Sequence, residues 1–163
     1  VHLFGNSFGG VVSLALAHRH PERVASLFLI EAHFAVEGWG EQMAGSLALA
    51  ACGLDEDAVQ DWLAENADRK LSRMAKRSER FLMETSLIDD LQAEEPITWL
   101  SEIACPTYAM YGAETDIMDR ALELKAKVPG CELEIVPDCS HSLLTEQSAL
   151  VRERALAWLA RVG

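Results

Sequence analysis

The apolar residues fall in three blocks with different spacing. Val1-His2-Leu3-Phe4 predicts a short buried strand, and Gly5 to Gly10 a tight turn. Val11 to His20 predicts a helix whose Val11, Val12, Leu14, Ala15 and Leu16 give an apolar surface nearly all round, hence a largely buried helix. Pro21 lies past its end. Arg23 to Ile30 predicts a second strand, a near-continuous apolar run typical of a parallel strand covered on both faces. The middle block reads as wholly helical. It holds Gln42–Ala51, then Asp55 as an N-cap before Val59, Trp62, Leu63 and Asn66, then a less regular stripe from Leu71 to Ile88. From Pro106 strands return: Thr107–Tyr111 ending at Gly112, a helix over Asp119–Lys127, a turn at Pro129-Gly130, and a strand over Glu132–Val136. Ser142–Arg161 predicts a terminal helix with Val151, Ala155, Trp158, Leu159 and Val162 on one face.

Strands joined by helices predict an α/β fold with a parallel sheet of about four strands. The boundaries follow: residues 1–32 form a core segment, 33–98 a helical cap inserted over the carboxyl edge of the strands, and 99–163 the rest of the core.

Composition narrows the function classes. The 163 residues are 50% hydrophobic and 25% charged, which is globular composition. With 14 basic and 26 acidic residues the net charge is −12, a poor match to a phosphate backbone or an anionic membrane. The longest apolar run, Val24–Ile30, is interrupted by Ser26 and far too short to span a bilayer. Cys52, Cys105, Cys131 and Cys139 form no CxxC pair, so they suggest neither a zinc site nor a redox motif. A reduced, cytoplasmic setting and no metal or cofactor are the expectations.

The candidate chemistry sits at strand ends. Gly5-Asn6-Ser7-Phe8-Gly9 fits G-x-S-x-G between a predicted strand and a predicted helix. A sharp turn there lifts Ser7 clear of the sheet at a helix N-terminus, and crowding at positions two residues away on either side calls for glycine at both. A serine nucleophile needs a His base, and the base an acid to orient it. Asp116 lies in the loop after the third strand and His141 in the loop after the fourth, in the order Ser, acid, His. Glu31, closing the second strand, is the rival acid; Glu114 and Asp119 flank Asp116. His33 opens the cap and is a candidate pocket residue. His2, His18 and His20 read as structural or exposed. Cys139, near His141, reads as packing.

These phrases, with His20-Pro21-Glu22-Arg23-Val24, Ile103-Ala104-Cys105-Pro106-Thr107 and His141-Ser142-Leu143-Leu144-Thr145-Glu146, resemble the C-terminal portion of a capped α/β-hydrolase. The resemblance covers both ends of the chain; the middle block matches only in being helical. It implies Ser7 as nucleophile, His141 as general base, Asp116 ahead of Glu31 as orienting acid, and the Phe8 backbone N–H as one oxyanion donor. It implies a partial α/β-hydrolase fold from the nucleophile strand onward, with the N-terminal strands and the loop of the second oxyanion donor absent. The start at Val1 favours a fragment of a longer frame over a half-protein that pairs with itself or a partner at that strand. The implied reaction is hydrolysis of an ester or thioester of a small-molecule substrate with an apolar or aromatic acyl group. Phe34, Trp39, Met43, Trp62, Met74 and Phe81 are the candidate pocket side chains. Carbon–carbon cleavage of aromatic ring-fission products is the second reading, and an inactive fragment or binding module the third.

Overall fold

A computed structural model describes residues 1–41, 43–44, 84–86, 89–90 and 96–163. Within them the chain forms two compact units. One joins Val1–Phe34 to Ile97–Gly163; the other is Ala35–Pro96.

The first unit is built on four parallel strands in sequential order: β1 (His2–Asn6), β2 (Ser26–Ile30), β3 (Thr107–Gly112) and β4 (Glu132–Val136). β2 is buried at all five positions, which explains its unbroken apolar run. Helix α1 (Phe8–Arg19) connects β1 to β2, and α2 (Met118–Lys127) connects β3 to β4. The predicted terminal helix is two helices, α3 (Leu143–Glu146) and α4 (Ser148–Val162), with a break at Gln147 (φ −128°, ψ 43°).

The register aligns Phe4, Phe28 and Tyr108 across three strands. Phe28 lies 5.3 Å from each of the other two rings, and Tyr108 lies 5.5 Å from Trp158 of α4. Trp158 also donates to Ser26 Oγ at 3.1 Å. Phe28, Ile30, Met110, Val136, Cys139, Leu143, Val151 and Trp158 form one apolar cluster. Fully burying a side chain of this size contributes roughly 1.5–3 kcal/mol. The cluster therefore fixes α3 and α4, and the His141 loop that precedes them, against the sheet.

Two expectations change. α1 buries one stripe only: Gly10, Ser13, Leu14 and Ala17 are buried, while Val12 and Leu16 are exposed. One face of the helix meets the sheet, and an apolar outer surface does not by itself bury the other. β1, expected as a buried strand, is buried only at Gly5, with Phe4 46% exposed, because it stands at an edge of the sheet.

In the second unit, residues 39–41 are helical, Trp39 is buried, and its backbone N–H donates to Val36 O at 3.0 Å. Ser86 Oγ donates to Asp90 Oδ2 at 2.8 Å. Cys52, Trp62, Met74, Phe81 and the helices read around Gln42–Ala51 and Asp55 lie outside the described residues. Among the described residues no helix is long and apolar enough to cross a membrane.

Candidate active site

The site is assembled from the carboxyl ends of the strands. Ser7 follows β1 directly and holds φ 50°, ψ −119°, a left-handed conformation costly for a residue with a side chain. Three backbone bonds fix it: Ser7 N–H donates to Ile30 O at 2.9 Å, and Ser7 O accepts from Gly10 N–H at 2.8 Å and from His33 N–H at 3.1 Å. Close packing explains the flanking glycines in part. A Cβ on Gly5 would lie 2.5 Å from Gly9 O, and a Cβ on Gly10 would lie 2.3 Å from Ala32 Cβ. At Gly9 a Cβ would meet nothing within 4 Å. The second crowded position is therefore Gly10, one residue later than the motif suggests, because the helix turns that face onto the end of β2. Phe8 is the first residue of α1, so its N–H has no acceptor within the helix.

His141 reaches Ser7 from the other end of the sheet. Its Nε2 lies 3.0 Å from Ser7 Oγ. The loop carrying it is held on both sides. Ser140 N–H donates to Glu146 Oε2 at 2.8 Å, Ser140 Oγ donates to Glu146 Oε1 at 2.7 Å, and Ser142 N–H donates to Ser140 Oγ at 3.1 Å. The Glu146 carboxylate thus turns back over the loop just before the break at Gln147. Asp138 adds a left-handed turn, φ 54°, where the loop leaves β4.

Both candidate acids stand on the Nδ1 side of His141. Glu31 Oε2 is 3.2 Å away and its side chain is fully buried; Asp116 Oδ1 is 4.0 Å away and its side chain is 83% exposed. Asp116, expected ahead of Glu31, is thus the more distant and more solvated of the two. The reason is the left-handed turn of Glu31, φ 47°, immediately after β2. There the Glu31 carboxylate accepts the Gly112 backbone N–H, and the Thr115 hydroxyl donates to Glu31 Oε2 at 2.6 Å. Thr115 lies in no motif, and the linear sequence does not single it out; Glu146 closes the phrase His141–Glu146, but the sequence assigns it no role.

Other residues sort by their contacts. His33 packs edge-on to His141, with ring centroids 5.4 Å apart. Burial holds its pKa below the usual histidine value, and the neighbouring His141 and Arg120 push it the same way. Unfolded His33 takes up its proton near pH 6.5 while the folded residue resists protonation, so the unfolded state binds more protons below that pH. Stability is expected to fall as pH drops below about 6.5. His33→Asn should make that fall shallower, read from urea unfolding midpoints between pH 5 and 7.5; an unchanged slope would count against the assignment. His2 Nδ1 lies 2.9 Å from Ser26 Oγ, His18 stacks on Trp99 at 4.2 Å, and His20 is exposed. Phe34 is buried beneath the Arg120 guanidinium, 5.8 Å from ring centre to Cζ. Burial raises the pKa of the Cys139 thiol, with the Glu146 carboxylate adding to the effect, so Cys139 is protonated at neutral pH.

A parallel sheet with Ser7 and His141 in contact at its carboxyl edge is the arrangement of one large class of α/β proteins. Residues 1–147 match the model of the alpha/beta hydrolase fold family, and the chain belongs to that family. It is 31% identical to the 2-hydroxymuconate semialdehyde hydrolase of Pseudomonas putida, over 85% of this chain and 55% of that protein. It is 25% identical to monoacylglycerol lipase abhd6-B of Xenopus laevis, over 90% of this chain and 50% of that protein. The chain thus spans about half the length of these curated relatives. Among solved structures, Rv0554 from Mycobacterium tuberculosis superposes with a TM-score of 0.69 at 20% identity, covering 100% of this chain and 66% of that one.

Proposed function

We propose that the protein is a serine hydrolase cleaving an ester or thioester of a small apolar or aromatic acyl group. The 3.0 Å approach of His141 Nε2 to Ser7 Oγ carries this reading. His141 Nε2 takes the hydroxyl proton as Oγ bonds to the substrate carbonyl carbon, and the Phe8 N–H meets the developing oxyanion. His141 then hands the proton to the departing oxygen or sulfur as its bond to carbon breaks. Water repeats the sequence on the acyl-enzyme, releasing the acid and restoring Ser7. One carboxylate on the Nδ1 side, Glu31 or Asp116, orients the ring and stabilises its charged form.

A second reading, cleavage of a carbon–carbon bond in an aromatic ring-fission product, is favoured by the 31% identity to the Pseudomonas putida hydrolase. The protein is offered p-nitrophenyl esters of graded acyl length and a 2-hydroxymuconate-type ring-fission product, and labelling by a fluorophosphonate is mapped by peptide mass. Ester turnover with label on Ser7 is the expected result. Consumption of the ring-fission product alone would replace the first reading with the second. A folded protein that consumes neither, and takes no label, would return the non-catalytic reading.

A further inference from the structure

Resting on Ser7 as nucleophile and His141 as its base, we propose that Glu31 is the acid that orients His141, and that Thr115 is the positioning residue that holds Glu31. Acyl transfer needs one tautomer of His141, with the proton on Nδ1 and the Nε2 lone pair facing Ser7. That tautomer needs a fixed acceptor on the Nδ1 side. Nδ1 is itself buried and has no aligned hydrogen-bond acceptor among the described residues. Glu31 Oε2, 3.2 Å away, is within reach of a small ring rotation, and such contacts often tighten only when substrate binds.

The two carboxylates differ in how firmly they are held. Asp116 is 83% exposed and 4.0 Å from Nδ1, so water screens it and rotamer freedom opposes its alignment. Glu31 is fully buried and anchored at both oxygens. The Gly112 backbone N–H is bound to Oε1, and the Thr115 hydroxyl donates to Oε2 at 2.6 Å. The second bond matters most, because Oε2 is also the oxygen facing Nδ1. Thr115 is fixed in turn: its N–H donates to Gly112 O at 3.2 Å. A buried carboxylate is costly unless it is hydrogen-bonded and paired. Gly112 and Thr115 supply hydrogen bonds, and the imidazolium that forms on His141 during turnover supplies the opposite charge. The acid therefore sits at the end of β2, while the loop after β3, which carries Asp116, contributes the hydroxyl that steadies it.

A purely structural Glu31 would be a strut tying β2 to the loop after β3. The two readings separate in kinetics and in the proton spectrum. Glu31→Gln, Asp116→Asn, Thr115→Val, Thr115→Ser and Ser7→Ala are compared for ester turnover and fluorophosphonate labelling. Proton spectra of protein carrying ¹⁵N-histidine report the His141 Nδ1–H. Glu31→Gln is expected to lose about 10³–10⁴-fold in kcat, the scale seen when a triad acid is neutralised elsewhere. Asp116→Asn is expected to lose at least about a hundredfold less than Glu31→Gln and to keep the downfield Nδ1–H resonance, since Asp116 is solvent-screened and 4.0 Å from Nδ1. Thr115→Val should slow turnover about tenfold, one hydrogen bond to a charged group, with Thr115→Ser restoring it. The Thr115 pair also decides the matter if Glu31→Gln does not fold. Should Ser7→Ala keep the label, the nucleophile reading falls and this proposal with it. Should labelling depend on Ser7 while Asp116→Asn abolishes turnover and Glu31→Gln does not, the acid assignment alone is overturned. Turnover in Thr115→Val equal to the parent removes Thr115 from its role.

Discussion

Ser7→Ala and His141→Ala should each lower kcat for an ester by on the order of 10⁴–10⁶, and the double variant should lose no more than the worse of the two. The reason lies in the contact between them. Ser7 Oγ and His141 Nε2 are 3.0 Å apart, and the proposed mechanism has them share a single proton transfer. Without the imidazole the hydroxyl keeps its proton, and without the hydroxyl the imidazole has nothing to activate. Removing the second partner from a pair already broken costs almost nothing more. Independent contributions would multiply instead. Neither change should much alter the fold, because Ser7 is held by its backbone bonds to Ile30 and His33 rather than by its side chain. The Ser7→Ala chain should therefore unfold within about 0.5 kcal/mol of the parent, or slightly above it, while its turnover collapses. A double variant that loses the product of the two single losses would show that Ser7 and His141 do not work as a unit.

Much of this arrangement is legible in the sequence, for identifiable reasons. Apolar runs as continuous as Leu27–Ile30 fit little besides a strand covered on both faces, and β2 is buried throughout. G-x-S-x-G between a strand and a helix fixes the turn at Ser7. Chain order places His141 at a strand end. What escapes the linear reading depends on direction in space. Val11, Val12 and Leu16 resemble Leu14 in the sequence, but only a docked helix reveals which side faces the sheet. Gly9 fits the motif and Gly10 only follows it, yet Gly10 is the one pressed against Ala32. The choice between Glu31 and Asp116 turns on a backbone angle. Ser7, Glu31 and Asp138 have φ of 50°, 47° and 54°, and each lies within two residues of the end of β1, β2 or β4. Among the described non-glycine residues, left-handed backbone is confined to this edge. Strain concentrated where reacting groups converge is the pattern of a built site, held in place by the packing beneath it.

That packing makes a second large effect predictable, this time on folding. Gly112→Ala should destabilise the protein by about 1–3 kcal/mol and reduce turnover on the order of 100-fold in the fraction that remains folded. A Cβ on Gly112 would stand 2.1 Å from Cys139 O, 2.5 Å from Cys139 C and 2.7 Å from Ser140 O. All three are backbone atoms, so no side chain can swing aside to relieve the overlap. The chain at Cys139 and Ser140 must retreat, and His141 is the next residue. Glu146 resists the retreat through its bonds to Ser140, and Cys139 is anchored in the core beside Leu143 and Trp158. Part of the strain therefore stays in the fold, and the rest moves the imidazole off Ser7. The same change also disturbs the Gly112 N–H that anchors Glu31, so Glu31 and His141 shift together. Gly9→Ala is the matched control: an added Cβ there meets nothing within 4 Å, and replacing a helical glycine by alanine is worth roughly 0.5–1 kcal/mol in favour of folding. Denaturant melts of the two variants against the parent decide the matter. Equal midpoints for Gly112→Ala and the parent would mean that the His141 loop yields freely, and that backbone contact with Gly112 does not hold the site.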